Sequence, residues 1–98
     1  MKINLGKKET IHFIGIGGIG MSGLALIMKK LGFKIQGSDI SINKNIERLK
    51  KNKIKIFTKH KITNLNNANI VVISSAIKNN NIELKTAKKK NLPVYKRG

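Results

Sequence analysis

The sequence predicts a small doubly wound α/β domain with about five mainly parallel strands and flanking helices. In residues 10–31, apolar residues of strand type lead into a glycine turn and then into apolar residues at helical spacing. Residues 10–15 are almost continuously apolar, as expected of a strand buried on both faces of a sheet. Strand and helix patterns then alternate along the rest of the chain, which indicates a parallel sheet with crossover helices.

Local patterns place each further element. Strands are predicted at residues 10–15, 34–38, 54–57, 70–74 and 92–95. Helices are predicted from the glycines to about residue 31, at 43–51 with Ser41 or Asn43 as N-cap, and at 81–90. Residues 60–69 are expected to form a turn or short helix, residues 75–80 a loop, and residues 1–9 a loose polar segment. The apolar residues expected to face inward from the later helices and the turn are Ile46, Leu49, Ile62, Leu65, Ile82, Leu84 and Ala87.

Composition limits the possible classes of protein. The 98 residues are enough for one domain with a core, and the absence of cysteine excludes disulfides and thiolate metal sites. No apolar run approaches the roughly 20 residues of a membrane span, so no membrane insertion is expected. The N-terminal sequence has no apolar segment of the kind found in signal peptides, and a cytoplasmic protein is therefore expected.

The formal charge of +17 suggests either an anionic partner or a lysine-rich, solvated surface. We favour the solvated surface, because the lysine clusters fall where exposed helix ends and turns are predicted. Binding of single-stranded nucleic acid would need exposed aromatic side chains for base stacking. Of Phe13, Phe33, Phe57 and Tyr95, three lie within predicted strands and are expected in the core. No specific nucleic-acid partner is therefore expected.

The glycines fit the pattern Gly15-x-Gly17-x-x-Gly20 between a strand and a helix, as in Rossmann-like nucleotide-binding domains. One glycine permits the tight turn, one lets the backbone approach a diphosphate, and one lets the helix pack closely on the strand. The pattern predicts an anion site at the helix N-terminus. An NAD-binding module and a tight turn without a ligand remain the alternatives.

Ligands of doubly wound sheets bind beyond the carboxyl ends of the strands. This rule selects four loops as one rim: residues 15–20, 38–39, 57–60 and 74–77. Asp39 follows the second strand, where an acid accepts hydrogen bonds from a ribose; it could instead form the turn into the next segment.

The remaining polar residues give weaker indications. His12 is expected to be a packed or edge residue, whereas His60 lies in a rim loop and could touch a ligand or simply face solvent. Ser74 and Ser75 could bond a ligand or cap the following turn. Two distant histidines without cysteine make a metal site unexpected. No acid–base pair, activated nucleophile or ATP phosphate loop can be assembled, so no catalytic residue is predicted.

Five segments resemble the Mur ligase family of peptidoglycan synthesis, in the branch that joins L-alanine to UDP-N-acetylmuramic acid. They occur in the family's order and spacing and cover nearly the whole chain from residue 10. The segments are HFIGIGGIGMSGLA (12–25), GSD (37–39), VVISSAI (71–77), N-x-E (81–83) and PVYKR (93–97).

The resemblance implies that this chain corresponds to the N-terminal domain, which binds the UDP part of UDP-N-acetylmuramic acid. It also implies that the ATPase and C-terminal domains are missing from this sequence, with ATP and Mg²⁺ expected in the missing central domain. No cofactor is expected in the chain itself, and the domain alone should bind without catalysing.

The resemblance also implies a set of substrate-binding positions. Backbone N–H groups from residue 15 to residue 22 would hold the diphosphate, Ser38 and Asp39 would meet the ribose or uracil, and residues 74–77 would border the uracil pocket. His60 aligns with a histidine common in the family. The full set is Gly15, Gly17, Gly18, Ile19, Gly20, Met21, Ser22, Ser38, Asp39, His60, Ser74, Ser75 and Ala76.

Overall fold

Five strands form one sheet in the computed structural model, which describes residues 8–97. The strands are β1 (Thr10–Ile14), β2 (Lys34–Ser38), β3 (Lys55–Phe57), β4 (Ile70–Ser74) and β5 (Val94–Arg97). The helices are α1 (Ile19–Lys30), α2 (Lys44–Lys51) and α3 (Ile82–Lys89), with a short 3₁₀ helix at Ile62–Leu65. Of the loose segment predicted at residues 1–9, residues 1–7 lie outside the described part of the chain.

All strand pairs are parallel, in the order β3-β2-β1-β4-β5, so the predicted doubly wound α/β class is confirmed. The chain leaves β1 toward β2 and β3 on one side, then crosses to β4 and β5 on the other. The direction of winding therefore reverses between β1 and β4. In sheets of this kind a crevice opens at that point, beyond the carboxyl ends of the strands.

The sheet separates two apolar cores. Because successive strand residues point to opposite faces, Ile11 and Phe13 of β1 pack with α1 and α2, whereas Ile14 packs with α3 and the 3₁₀ helix. The first core includes Met21, Ala25, Met28, Ile46 and Leu49, and the second includes Leu65, Val71, Ile73, Leu84 and Ala87. Burial on both faces explains the continuous apolar sequence of β1 and β4.

Side-chain caps fix the starts of two helices. Of the two predicted caps for α2, Asn43 is the one used: its side-chain oxygen accepts a 2.9 Å hydrogen bond from the N–H of Ile46. The Asn81 oxygen likewise accepts hydrogen bonds from the first turn of α3. Gly32 follows α1 with φ +97°, the left-handed conformation expected from its position.

Three details of the prediction were wrong. Ile62 and Ile82 were expected to face inward, but 51% and 45% of their surfaces are exposed. Each occupies the first position of its helix, on the flank of the buried stripe, and both line one surface cleft. The last strand begins at Val94, two residues later than predicted, because residues 90–93 form the turn that ends α3.

Candidate functional site

The glycine turn after β1 is held by hydrogen bonds to the end of β2. The N–H groups of Gly15 and Ile16 both donate to the carbonyl oxygen of Ser38, at 2.8 and 3.0 Å. Gly15 has φ +80°, a conformation that side chains other than glycine rarely adopt, and its carbonyl accepts from the N–H of Gly18. The turn is thus a continuation of the β1–β2 pairing beyond the sheet.

Asp39 closes the turn from the β2 side. Its Oδ2 accepts a 2.7 Å hydrogen bond from the N–H of Gly17, and its Oδ1 accepts a 2.8 Å hydrogen bond from the N–H of Ser41. A Cβ atom at Gly17 would lie 2.8 Å from that Oδ2 and 2.9 Å from Ile46 Cδ1, so a larger residue would displace both side chains. Of the two roles predicted for Asp39, the structure shows the one in which its side chain forms the turn into the next segment. It is partly exposed at the rim, and its second role, toward a ribose, stays a prediction.

Hydrogen bonds within the protein already use several of the N–H groups of residues 15–22, which were predicted to hold an anion. The N–H groups of residues 15–18 and of Ser22 all have acceptors within the protein. The N–H groups of Ile19, Gly20 and Met21 occupy the first three positions of α1, where a helix provides no acceptor. No side chain caps this helix, and its first turn contains no acid. Three adjacent donors at the positive end of a helix are left for an anion.

Arg97 lies over this helix N-terminus. A Cβ atom built on Gly20 would be only 2.7 Å from Arg97 Nη1, so the glycine makes room for the guanidinium. Arg97 is the last residue of β5 and is itself exposed. A positive side chain beside the positive end of a helix is unfavourable on its own and becomes favourable when an anion lies between them.

A cleft of about 320 Å³ opens between these groups and the loop after β4. Seven of the predicted site residues line it together with Arg97; they are Gly18, Ile19, Gly20, Met21, Ser74, Ser75 and Ala76. Ile19 is 89% exposed at its mouth. The Ser74 hydroxyl accepts a 3.3 Å bond from the N–H of Ala76, so it also supports its own loop. The predicted rim loops after β1 and β4 thus meet in one cleft.

The other predicted positions lie beside the cleft or under it. Gly15 and Gly17 build the turn, and Ser22 is buried in α1 with its hydroxyl bonded to the Ile19 carbonyl. Ser38 is fully buried, so its side chain does not face the rim. His60 lies at the β2 side of the edge, where its Nδ1 is 2.9 Å from Ser38 Oγ.

A buried polar cluster lies beneath the rim, on the face of the sheet covered by α3. Glu83 is completely buried at its centre, where Oε1 accepts from His12 Nε2 at 2.6 Å and from Ser38 Oγ at 2.7 Å. Its Oε2 accepts from the Lys61 N–H at 3.0 Å and from Asn64 Nδ2 at 2.7 Å. A carboxylate offers about four acceptor positions, and here four donors fill them.

The proton positions in the cluster follow from its donors. Gln36 Nε2 is 2.8 Å both from the Asn64 carbonyl and from His12 Nδ1, so it donates to each and His12 Nδ1 is an acceptor. His12 therefore carries its proton on Nε2 and donates it to Glu83. Burial raises the pKa of Glu83, whereas the hydrogen bond and electrostatic interaction with His12 and the hydrogen bonds from Ser38 and Asn64 lower it, and the net pKa lies below its ordinary value.

The sequence interpretation missed the cluster and Arg97. No acid–base pair or activated nucleophile could be assembled from the sequence, yet the fold brings Ser38, His60 and Glu83 together. His12 is packed, as expected, with none of its surface exposed. One signal was present. His12 and Gln36 are polar residues in neighbouring buried strands, where they pair in register, and buried polar side chains need hydrogen-bond partners. Arg97 could have been found from the rule that selected the other strand ends.

Several other classes of site find no support among residues 8–97. No group of three or more metal-binding side chains comes together in this range. No helix there is long and apolar enough to cross a membrane. Of the four aromatic side chains, Phe13 is fully buried, and Phe33 and Tyr95 pack against the core. Phe57 is partly buried and lies near the His12 ring.

The five-stranded parallel sheet and the glycine turn define a Rossmann-like α/β domain, and comparison with known proteins identifies its family. The sequence model described as "Mur ligase family, catalytic domain" matches residues 10–98. The chain belongs to the Mur ligase family.

Two curated relatives are UDP-N-acetylmuramate–L-alanine ligases. The chain is 70% identical over its whole length to the UDP-N-acetylmuramate–L-alanine ligase of Pelagibacter ubique, and 50% identical over 99% of its length to that of Brucella ovis. It spans about a fifth of the length of these curated relatives: 21% and 20%.

Solved structures agree. The UDP-N-acetylmuramate-alanine ligase of Thermotoga maritima superposes with a TM-score of 0.85 at 35% identity, over 90% of this chain and 20% of that one. A UDP-N-acetylmuramate:L-alanyl-gamma-D-glutamyl-meso-diaminopimelate ligase of Neisseria meningitides has a TM-score of 0.83 at 28% identity, over 90% of this chain and 28% of that one. The fold is thus shared by a ligase named for alanine and by a ligase named for a peptide.

Proposed function

We propose that this domain binds the UDP part of UDP-N-acetylmuramic acid for a ligase that joins L-alanine to it. The relatives' names supply the substrate and the reaction. The observation that carries the proposal is the cleft in which the first turn of α1, residues 74–76 and Arg97 converge. Its groups are donors and a cation, which suits a diphosphate ester.

The diphosphate is assigned to the N-terminus of α1. The N–H groups of Ile19, Gly20 and Met21 would donate to its oxygens, and the Arg97 guanidinium would balance its charge. Residues 74–76 would then border the uracil or ribose. Asp39 accepts from Gly17 and Ser41 in this structure and would have acceptor capacity left for a ribose hydroxyl.

Asp39 also argues against the alternative of an NAD site. In the dinucleotide fingerprint the second glycine lets the backbone approach the pyrophosphate closely. Here the N–H of Gly17 is already bonded to the Asp39 carboxylate, at 2.7 Å. Neither the family nor the relatives favour NAD.

Catalysis is assigned elsewhere. The ligase would use ATP and Mg²⁺ to activate the muramoyl carboxylate, and we assign both, with the amino-acid site, to further domains of the kind found in the longer relatives. The domain described here would hold the nucleotide end of the substrate and supply no reacting group. The expected cytoplasmic location stays a prediction.

Titration followed by amide NMR tests the proposal. UDP-N-acetylmuramic acid and UDP are expected to shift the amide signals of Ile19, Gly20, Met21 and Asp39, whereas NAD⁺ at the same concentration should shift them little. Arg97→Gln should weaken both UDP ligands, and Lys96→Gln, its exposed neighbour, serves as the matched control for the loss of one charge. Shifts with NAD⁺ but not with UDP would contradict the proposal.

A further inference from the structure

The buried cluster reaches His60 through the hydrogen bonds of Ser38, and His60 Nδ1 also lies 3.5 Å from Glu83 Oε2. Ser38 Oγ is 2.7 Å from Glu83 Oε1, and since the carboxylate can only accept, the hydroxyl proton points to Glu83. The same oxygen is 2.9 Å from His60 Nδ1 and has no second proton to give. His60 must therefore carry a proton on Nδ1 and donate it to Ser38.

The outer nitrogen of His60 is left open to the rim. Its Nε2 makes no hydrogen bond within residues 8–97, and no buried side-chain nitrogen or oxygen in that range lacks a partner. Nε2 therefore reaches solvent, in agreement with the 21% exposure of the side chain. With Nδ1 protonated, the neutral ring presents Nε2 as a hydrogen-bond acceptor.

Glu83 also holds the loop on which His60 stands. Its Oε2 accepts from the N–H of Lys61, the residue after His60, and from Asn64, whose amide donates a second bond to the Lys59 carbonyl. The two residues that flank His60 are thus tied to one carboxylate, directly or through one side chain. Glu83 therefore determines both the position of the His60 ring and its tautomer.

We propose that Glu83 is a positioning residue, which acts through Ser38 to fix His60 with Nδ1–H inward and Nε2 presented to the bound nucleotide. The use of this acceptor by a ligand rests on the proposed function. An acceptor pairs with the hydroxyls of ribose or the imide N–H of uracil, and a fully ionised phosphate has neither. His60 is therefore assigned to the nucleoside end of the ligand, with the diphosphate at α1.

The tautomer can be read without any ligand. Long-range ¹H–¹⁵N NMR of the wild-type imidazoles is expected to show His60 protonated on Nδ1. In Ser38→Ala the nearest acceptor for that proton is lost and Glu83 Oε2, at 3.5 Å, is too far for a strong hydrogen bond, so the spectrum should change toward the Nε2–H tautomer. Thr86→Ala, which removes a hydroxyl bonded to the Ile82 carbonyl within α3 and not to any member of the buried cluster, is the control and should leave His60 unchanged. A wild-type ring protonated on Nε2, or an unchanged ring in Ser38→Ala, overturns the proposal.

Ligand fragments then separate this proposal from the proposed function. Uridine and UDP should both shift the His60 ring signals, whereas inorganic diphosphate should shift the Gly20 amide and leave the ring alone. Ser38→Ala and His60→Asn should each weaken UDP about threefold to tenfold, the range for one hydrogen bond. Their combination should cost little more than either, since both remove the same contact.

The outcomes are distinct. A tautomer that depends on Ser38 without any binding of UDP would overturn the proposed function and support the positioning role. Binding of UDP by wild-type protein with a ring that follows inorganic diphosphate would overturn the assignment of His60 to the nucleoside end. Glu83→Gln provides a second route to the same readout, provided that its amide spectrum shows a folded chain.

Discussion

Glu83 Oε1 lies 2.6 Å from His12 Nε2, although the two residues are 71 positions apart in the chain. The pair joins the first turn of α3 to the central strand of the sheet. Neither side chain has any exposed surface, so water cannot replace a lost partner and every polar atom of the pair needs a hydrogen bond within the protein. The first prediction follows from this dependence.

Glu83→Gln should lower the free energy of unfolding by about 1–3 kcal/mol at pH 7, the cost of leaving buried donors unpaired. The carboxylate accepts four hydrogen bonds, two at each oxygen. In glutamine an NH₂ group replaces one oxygen and would face two of these donors. Urea denaturation of wild type and variant measures the difference. Glu47→Gln is the matched control, because Glu47 is exposed on α2 and should change stability little.

The same pair of variants should differ with pH. Since the pKa of Glu83 is lowered on folding, its contribution is complete above the unfolded pKa of about 4.3 and disappears as pH falls through the folded pKa. The stability gap between wild type and Glu83→Gln should therefore narrow below about pH 4. A gap that stays constant from pH 7 to pH 3 would contradict the ionised state of Glu83.

Gly20→Ala and Gly23→Ala should separate binding from stability. The added methyl at Gly20 meets the end of the Arg97 side chain, which can move, so the fold should tolerate it while UDP binding weakens. At Gly23 no atom lies within 4 Å, and alanine inside α1 should stabilise by about 0.5–1 kcal/mol with unchanged binding. Thermal melting and UDP titration measure both effects. If the two variants bound UDP equally well, Arg97 would not contribute to UDP binding.

Gly37→Ala should be the most damaging of the glycine substitutions. A Cβ atom there would lie 2.5 Å from Ile16 Cδ1 in the turn and 2.8 Å from the backbone carbonyl of Phe13 in β1. We expect a loss of stability of about 3 kcal/mol or more, at the upper end for overpacking, because the backbone atom cannot rotate away. A denaturation curve close to that of wild type would show that the turn is looser than this packing implies.

Asp39→Asn tests the closure of the turn. An amide keeps one acceptor oxygen, so it can serve Gly17 or Ser41 but not both, and it removes the charge. Stability should fall by about 1 kcal/mol and UDP binding by about 1–3 kcal/mol, the range for hydrogen bonds to a charged group. The Gly17 amide signal is the direct probe. If UDP binds unchanged while that signal moves, Asp39 supports the turn and does not touch the ribose.

The sequence predicted the scaffold well because its signals are local. Strand β2 was predicted with its observed bounds, since Gly32 ends the helix before it and Asp39 begins the next turn. The Asn43 cap and the inward Ile46 and Leu49 of α2 were likewise read from neighbouring residues. Interactions over three or four positions decide such features, and one chain is enough to see them.

The burial of Glu83 could not be predicted from its neighbours in the sequence. An acid in the first turn of a helix is an ordinary favourable residue on the surface, and nothing adjacent to it marks this one as buried. Its partners come from residues 12, 38, 61 and 64, which meet only when the sheet has formed. Ile82, the residue before it, was expected to face inward and is 45% exposed, whereas Glu83 is completely buried.

The double hydrogen bond from Gly15 and Ile16 to the Ser38 carbonyl has a further consequence. Together with Asp39 it fixes the turn before any ligand arrives, so the entropy of ordering this loop is lost during folding and not during binding. A ligand that meets such a preorganised loop keeps more of its contact energy as affinity. The slow step of recognition, if there is one, should therefore lie in the ligand or in its approach, and not in this turn.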